Sequence, residues 1–510
     1  MAAMRRHIFN RALALLLLVC ATLGALWDGR AVAQSLPTVT ILHINDVYEI
    51  NAIEGGRYGG LARVATLRQT LERARPPVLM THGGDYLSPS AIGTAVIDGQ
   101  PLAGRQMVDV LNAAGLDWAV LGNHEFDVSE AAFRARLAES RFKVVASNVS
   151  DVSGRPFAGT VRSAVVPIRS AGRILRIGLI GMTIDANRRP WVRYSPPVDA
   201  AREAMAELQG KVDAVIALTH LSLAGDQKLV TEVPGIDVVL GGHEHENWLI
   251  RRGPGFTPIV KADANARTVA VVTLTFSQSS SKAGQNVGAP YARPTISTRF
   301  QLVDSSVRAD RTVQATAQRW TVAAFDAFRK SGFEPERVVT TVTEPLEGLE
   351  SVVRNRPGRL TDLVTAAFDR EAGGVDVALL NGGSIRIDDV IQPGPVTEYD
   401  VIRILPFGGK VVRATFEGTL LASVLEIGMK NQGTGGYLHA RGIEREGSQW
   451  VVKGQPLDPN GRYRVALTDF LLSGGETNLG FLTRTNPGVH DVQDLRDVRL
   501  ALIDQLRVSY

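Results

Sequence analysis

"DVVLGGHEHENW" (Asp237–Trp248) runs from an apolar stretch through two glycines into His243 and His245, one residue apart. A short apolar run that stops at glycine reads as a core strand, and strands alternating with amphipathic helices define an α/β layered protein. The same construction recurs upstream. "ILHIND" stops at Asp46, "VLMTHGGD" at Asp85, and "VIALTH" at His220, while "AVLGNHEFD" delivers Asn123, His124 and Asp127. Five apolar runs therefore end on residues able to bind a metal or move a proton. The carboxyl ends of strands in an open α/β sheet line one crevice, so these distant residues are expected to meet there. Any one of them alone would be a turn or cap residue. Their joint occurrence in a chain with only 9 histidines carries the functional reading.

The surrounding sequence fits that frame. "GLARVATLRQTLERA" (Gly60–Ala74) and "SEAAFRARLAES" (Ser129–Ser140) have helical spacing, with Ser129 as an N-cap. "TVAVVTLTF" and "TISTRFQLV" predict a long hairpin around the Ser- and Gly-rich loop Ser277–Pro290. Ser306–Gly332 predicts one long helix closed by Gly332, which joins two halves. With 510 residues the chain is too long for one ordinary core. The expected organisation is a signal peptide over 1–33, a catalytic domain over 38–305, a linker helix over 306–332 and a second domain over 333–510. No internal repeat is evident.

Arg5 and Arg6 precede the apolar run Ala12–Trp27, and "AVA" (Ala31–Ala33) offers a small-residue exit. Those features describe a secretory signal peptide, so the protein is expected in the periplasm or outside the cell, with no membrane anchor once the segment is removed. Cys20 is the only cysteine, and a chain cut after Ala33 forms no disulfide. The segment carries off four arginines and one aspartate, so the net charge falls from +4 to about +1, which is no nucleic-acid footprint.

The candidate ligands are carboxylate, amide oxygen and imidazole, without thiolate. This set suits borderline-hard divalent ions: Mn²⁺, Zn²⁺, Co²⁺ or Fe²⁺. They are too many for one four-coordinate ion. Two ions about 3.5–4 Å apart and bridged by a carboxylate would use them all, clamp an in-line displacement, and lower the pKa of bound water to about 7. No G-x-x-x-x-G-K-[ST] loop or G-x-S-x-G elbow offers another catalytic plan.

At these motifs the chain resembles the 5′-nucleotidase family, two-domain members of the calcineurin-like metallophosphoesterases. The resemblance implies an N-terminal layered β-sandwich flanked by helices, followed by a C-terminal α/β substrate-binding domain. It further implies that Asp85 bridges two metal ions. Asp46 and His245 would hold the first ion, and Asn123, His220 and His243 the second. His124, oriented by Asp127, would contact the phosphoryl group. The family usually has histidine two residues after the first aspartate, where this chain has Tyr48. Tyr48 would bind a metal as phenolate, only hydrogen-bond, or leave the first site weak.

In the second half, "NGGSIRIDD" (Asn381–Asp389) resembles the family's substrate-binding glycine turn, which points to Asn381 and Arg386. "RPGRLTDLVTAA" places Arg356 as a second phosphate contact. Phe407 and Phe470 match a pair that sandwiches a nucleobase, and Glu476 stands where the family commonly has aspartate beside the ribose. The expected activity is removal of the 5′-phosphate from a small nucleotide, not a nucleic-acid polymer, by attack of metal-bound hydroxide. A cyclic-nucleotide phosphodiesterase, a nucleotide-sugar pyrophosphatase and a non-catalytic nucleotide-binding protein are the alternatives.

Overall fold

The computed structural model describes residues 36–74, 77–277 and 293–510. The expected signal peptide, with Cys20, lies outside the described residues, as does the loop after Ser277.

Two sheets face one another in the first half. The seven-stranded sheet runs Thr160–Val161, Lys143–Val145, Trp118–Val120, Val78–His82, Thr38–Ile44, Thr268–Thr275, Thr295–Leu302. Its first five strands are parallel, and the expected hairpin closes the other edge. The six-stranded sheet runs Ser163–Ser170, Arg173–Thr183, Ala214–His220, Val238–Gly241, Thr257–Lys261, Trp248–Arg252.

Alternation along each strand explains how they pack. Val39 and Ile41 point between the sheets, where they meet Ile177, Ile216, Leu218 and Leu240. Leu42, Ile44 and Met80 point the other way, under the helices Leu61–Ala74 and Arg105–Ala114. Ile180, Val215 and Val239 lie under Pro197–Leu208 and Leu223–Glu232. Both faces are covered, so these strands read as continuous apolar runs. Ser129 does cap the helix Glu130–Glu139, its Oγ accepting the Ala132 amide.

The linker helix is shorter than expected, Arg311–Lys330 rather than Ser306–Gly332. The Asp310 carboxylate accepts the amides of Thr312 and Val313 and so fixes the start, while Ser306 folds back onto Asp304. The helix lies against the first half: Trp320 Nε1 donates to Asp109 Oδ2 at 2.9 Å, and Asn51 Nδ2 donates to Thr321 Oγ1 at 2.8 Å. Its buried side, Ala317, Ala324 and Phe328, joins one apolar cluster that continues through Phe333 into Leu360 and Leu502 of the second half.

The second half is built on a five-stranded sheet: Leu438–Arg441, Val377–Asn381, Arg462–Thr468, Lys410–Glu417, Val489–Asp497. Helices Arg359–Glu371 and Val498–Ser509 cover one face. Gly418–Lys430 covers the other.

Candidate metal centre and substrate cleft

The ligand-bearing strand ends do not come from one open sheet. Asp46, Asp85, Asn123 and His124 follow strands of the seven-stranded sheet; His220, His243 and His245 follow strands of the six-stranded one. The two sheets bring their carboxyl ends to the same edge of the sandwich. There Asp46 and His220 are fully buried and Asp85 is 1% exposed. Buried carboxylates are costly unless positive charge stands beside them, and here His220 and His245 face Asp85 and Asp46.

The backbone aims each group. The His243 amide donates to Asp46 Oδ2 at 2.9 Å, and the His124 amide donates to Asp85 Oδ1 at 2.8 Å. His220 Nδ1 sits 2.7 Å from the Gly83 carbonyl, which leaves Nε2 facing Asp85 Oδ2 at 3.1 Å. The motif glycines exist because nothing larger fits. A Cβ at Gly122 would lie 2.1 Å from Asp85 Oδ1, and one at Gly242 would lie 2.6 Å from the Gly83 carbonyl oxygen. Asp46, Asp85, His243 and His245 all adopt left-handed backbone, with φ of 50°, 59°, 89° and 57°.

A metal fits this donor set. Ligand atoms of Asp46, Asp85 and His220 lie within 4.8 Å of one another. Asn123 Oδ1 is buried with no hydrogen-bond partner among the described residues. The pocket is strongly anionic: burial opposes charge on His220, yet Asp85 and Asp46 raise its pKa to about 9. Burial, then neighbouring His220, pushes His243 down to about 3, so that imidazole is neutral and able to ligate. His43 and His82, pushed by burial to about 4 and about 3, are neutral residues of the strands beneath.

His124 stands at the mouth of the pocket. Its Nδ1 lies 2.5 Å from Asp127 Oδ2, and Asn187 Nδ2 donates to Asp127 Oδ1 at 3.0 Å. Nε2 then faces the second half, 3.3 Å from Arg386 Nη2. The Tyr48 hydroxyl lies 2.9 Å from His245 Nε2, 3.4 Å from Asp46 Oδ1 and 3.5 Å from Asp85 Oδ2. Burial first, then Asp46 and Asp85, push its pKa well above that of an ordinary phenol.

Across the cleft, Arg386 Nη1 donates to Glu350 Oε1 at 2.8 Å, and its guanidinium carbon sits 5.9 Å from the centre of the Phe407 ring. Asn381 Nδ2 donates to Glu476 Oε2 at 2.6 Å. Phe407 and Phe470 are 55% and 47% exposed, unlike core phenylalanines. Arg356 does not join this cluster: it points to solvent and pairs with Glu347 at 3.2 Å. Two residues earlier, Arg354 turns inward and pairs with Glu350. The short helix Glu350–Val353 ends just before Arg354, and that break sends the two arginines different ways.

Sequence patterns missed three supporting residues. Glu125 collects the amides of Gly122, Asp85, Tyr86 and Leu87 and so ties two ligand turns together; burial, then Asp85, pushes its pKa up to about 7. Lys261 donates to the Leu221 and Gly242 carbonyls at 2.6 and 2.8 Å and pairs with Asp226 and Glu244, which clamps the His220 turn to the His243 turn. Glu350 gathers two guanidinium groups beside His245. A glutamate in a GNHE run and a lysine ending a strand were visible, but their partners were not.

The opposed sheets and their shared edge of carboxylate, amide and imidazole groups define a calcineurin-like phosphoesterase, a hydrolase of phosphoester bonds, and residues 39–247 match that family. Residues 338–483 match the 5′-nucleotidase C-terminal domain, and the chain belongs to the two-domain 5′-nucleotidase family. It is 25% identical to the 5′-nucleotidase of Bos taurus over 92% of this chain and 89% of that protein. It is 25% identical to the snake venom 5′-nucleotidase of Naja atra over 86% of this chain and 90% of that one. The crystal structure of the 5′-nucleotidase precursor from Thermus thermophilus superposes with a TM-score of 0.75 at 25% identity, covering 92% of this chain and 96% of that one.

Proposed function

We propose that the protein is an exported, two-metal enzyme that removes the 5′-phosphate from nucleotides. The observation that carries this is the approach of Arg386, from the second half, to within 3.3 Å of His124 Nε2, on the first. A phosphate that reached the metal pocket would touch both. Asp46, Asp85 and His245 would hold the first ion, and Asp85, Asn123, His220 and His243 the second. Divalent ions held there supply Lewis acidity toward a phosphoryl oxygen and a lowered pKa for bound water.

The chain's own groups do the rest. Asp127 holds the His124 ring so that Nε2 faces a phosphoryl oxygen as charge develops, a preorganised contact worth about 10²–10³ in rate. Arg386 and Arg354 present guanidinium forks to the phosphate, both fixed by Glu350. Tyr48 acts as a hydrogen-bonding phenol beside the first ion, its hydroxyl 2.9 Å from His245 Nε2. Phe407 and Phe470 leave ring faces exposed for a base, and Asn381 with Glu476 offers polar contacts to a sugar. Export rests on the basic-apolar-small pattern of the first residues and on a venom protein among the relatives. No helix among the described residues is long and apolar enough to cross a membrane.

Metal-stripped protein given Mn²⁺, Zn²⁺, Co²⁺ or Fe²⁺ and a substrate panel tests this reading. Phosphate is expected from AMP and not from cyclic substrates. Release from cyclic nucleotides or nucleotide sugars alone would replace it with a diesterase or pyrophosphatase; binding without turnover under any metal would leave a nucleotide-binding protein.

A further inference from the structure

His245 has partners from both halves of the chain. Its Nε2 faces the pocket, 3.3 Å from Asp46 Oδ1 and 2.9 Å from the Tyr48 hydroxyl. Its Nδ1 lies 2.9 Å from Oδ2 of Asp388, a residue of the second half that is 4% exposed. The other oxygen of Asp388 accepts the Glu350 amide at 3.0 Å, and its carbonyl accepts Arg267 Nη2, from the first half, at 2.8 Å. Both carboxylate oxygens are engaged, so the group is fixed in orientation. Glu350 Oε2 stands farther from the same nitrogen, at 3.5 Å, and its other oxygen already serves Arg386.

A carboxylate that takes the Nδ1 proton of a ligating histidine fixes the tautomer, orients the ring and raises the basicity of Nε2. The two ion positions differ in this respect. His220 is held by the Gly83 carbonyl, wholly within the first half. His245 is held from across the seam.

We infer that Asp388 is a positioning residue for the first ion, so that the second half completes a metal site whose ligands all lie in the first. This rests on the proposed role of His245 as a ligand. Affinity at the first position then depends on docking of the two halves, and affinity at the second does not.

Asp388 has φ of 40°, a conformation glycine adopts without strain, so Asp388→Gly removes the carboxylate and leaves the backbone unstrained. Equilibrium dialysis of the metal-stripped full chain against Mn²⁺ or Zn²⁺ counts ions and gives each dissociation constant. Wild type is expected to take two. Asp388→Gly is expected to keep one at wild-type strength and bind the other about 10–100-fold more weakly, and Asp388→Asn, which can accept from only one of His245 Nδ1 and the Glu350 amide, to fall between that variant and wild type. Asp389→Ala is the control, since Asp389 pairs with Arg403 and Arg267 at the same seam without touching His245. Unchanged binding in Asp388→Gly would overturn the inference alone. Equal losses in the Asp388 and Asp389 variants would assign the effect to a loosened seam and overturn it as well. A wild type that takes up no ion would remove the metal reading and this inference together.

Discussion

With its Nδ1 held by Asp127 at 2.5 Å, His124 has only Nε2 to offer the cleft. His124→Ala should lower kcat for AMP about 10²–10³-fold with KM changed far less, because the contact strengthens as charge develops; steady-state kinetics reads both. The arginines divide in the same way. Arg354→Ala should lower kcat/KM about tenfold or more by removing a charge-assisted contact, while Arg356→Ala, an exposed residue paired with Glu347, should fall within about twofold. Phe407→Ala should raise KM for nucleoside monophosphates, by the ~1–3 kcal/mol that base stacking contributes, and leave a small aryl phosphate nearly unaffected. Equal effects on both substrates would remove the stacking role. The clustering of motif residues such as Asp85 and His220 was legible because strand, glycine turn and polar side chain lie close together in the chain. Asp388 was not, since its contact with His245 exists only when the two halves meet, nor was Glu350, whose partner Arg386 is distant in the chain.

The turns that carry the ligands are held by buried polar groups as much as by glycine. Lys261, fully buried, binds two carbonyls and two carboxylates between the His220 and His243 turns. Lys261→Met would strand the fully buried Asp226 as an unpaired charge and should lower unfolding free energy by about 3–5 kcal/mol, measured by urea denaturation. Retention of full stability would mean that the clamp is dispensable. Elements themselves were well marked in the sequence: "TVTILHI" is the strand Thr38–Ile44, and Ser129 caps its helix. Their assignment to two sheets was not. Thr38–Ile44 pairs with Thr268–Thr275 from the far end of the domain, and sheet membership is set by such distant pairings, which local periodicity does not report. The linker helix starts later than its helical spacing suggests because the Asp310 carboxylate captures the first amides.

At the scale of the whole molecule, one apolar cluster runs from beneath the first sheet into the second half, and a charged seam lies alongside it. Arg403 of the second half meets Glu49 at 3.1 Å, and Arg267 of the first meets Asp389 at 3.5 Å. Arg386 and Glu350 of the second half are thereby held against His124 and His245 of the first. Asp46, Asp85, His243 and His245 all hold left-handed backbone. Backbone of this kind costs about 1–3 kcal/mol per residue, and an ion returns that energy only while it is bound. Relaxing one such position should therefore stabilise the chain when no ion is supplied. His243→Gly, at the most extreme of the four angles, should melt at a higher temperature than its parent in chelator and at a lower one in excess metal. Paired calorimetric scans would show the crossover; curves that never cross would mean that the fold carries no such tension.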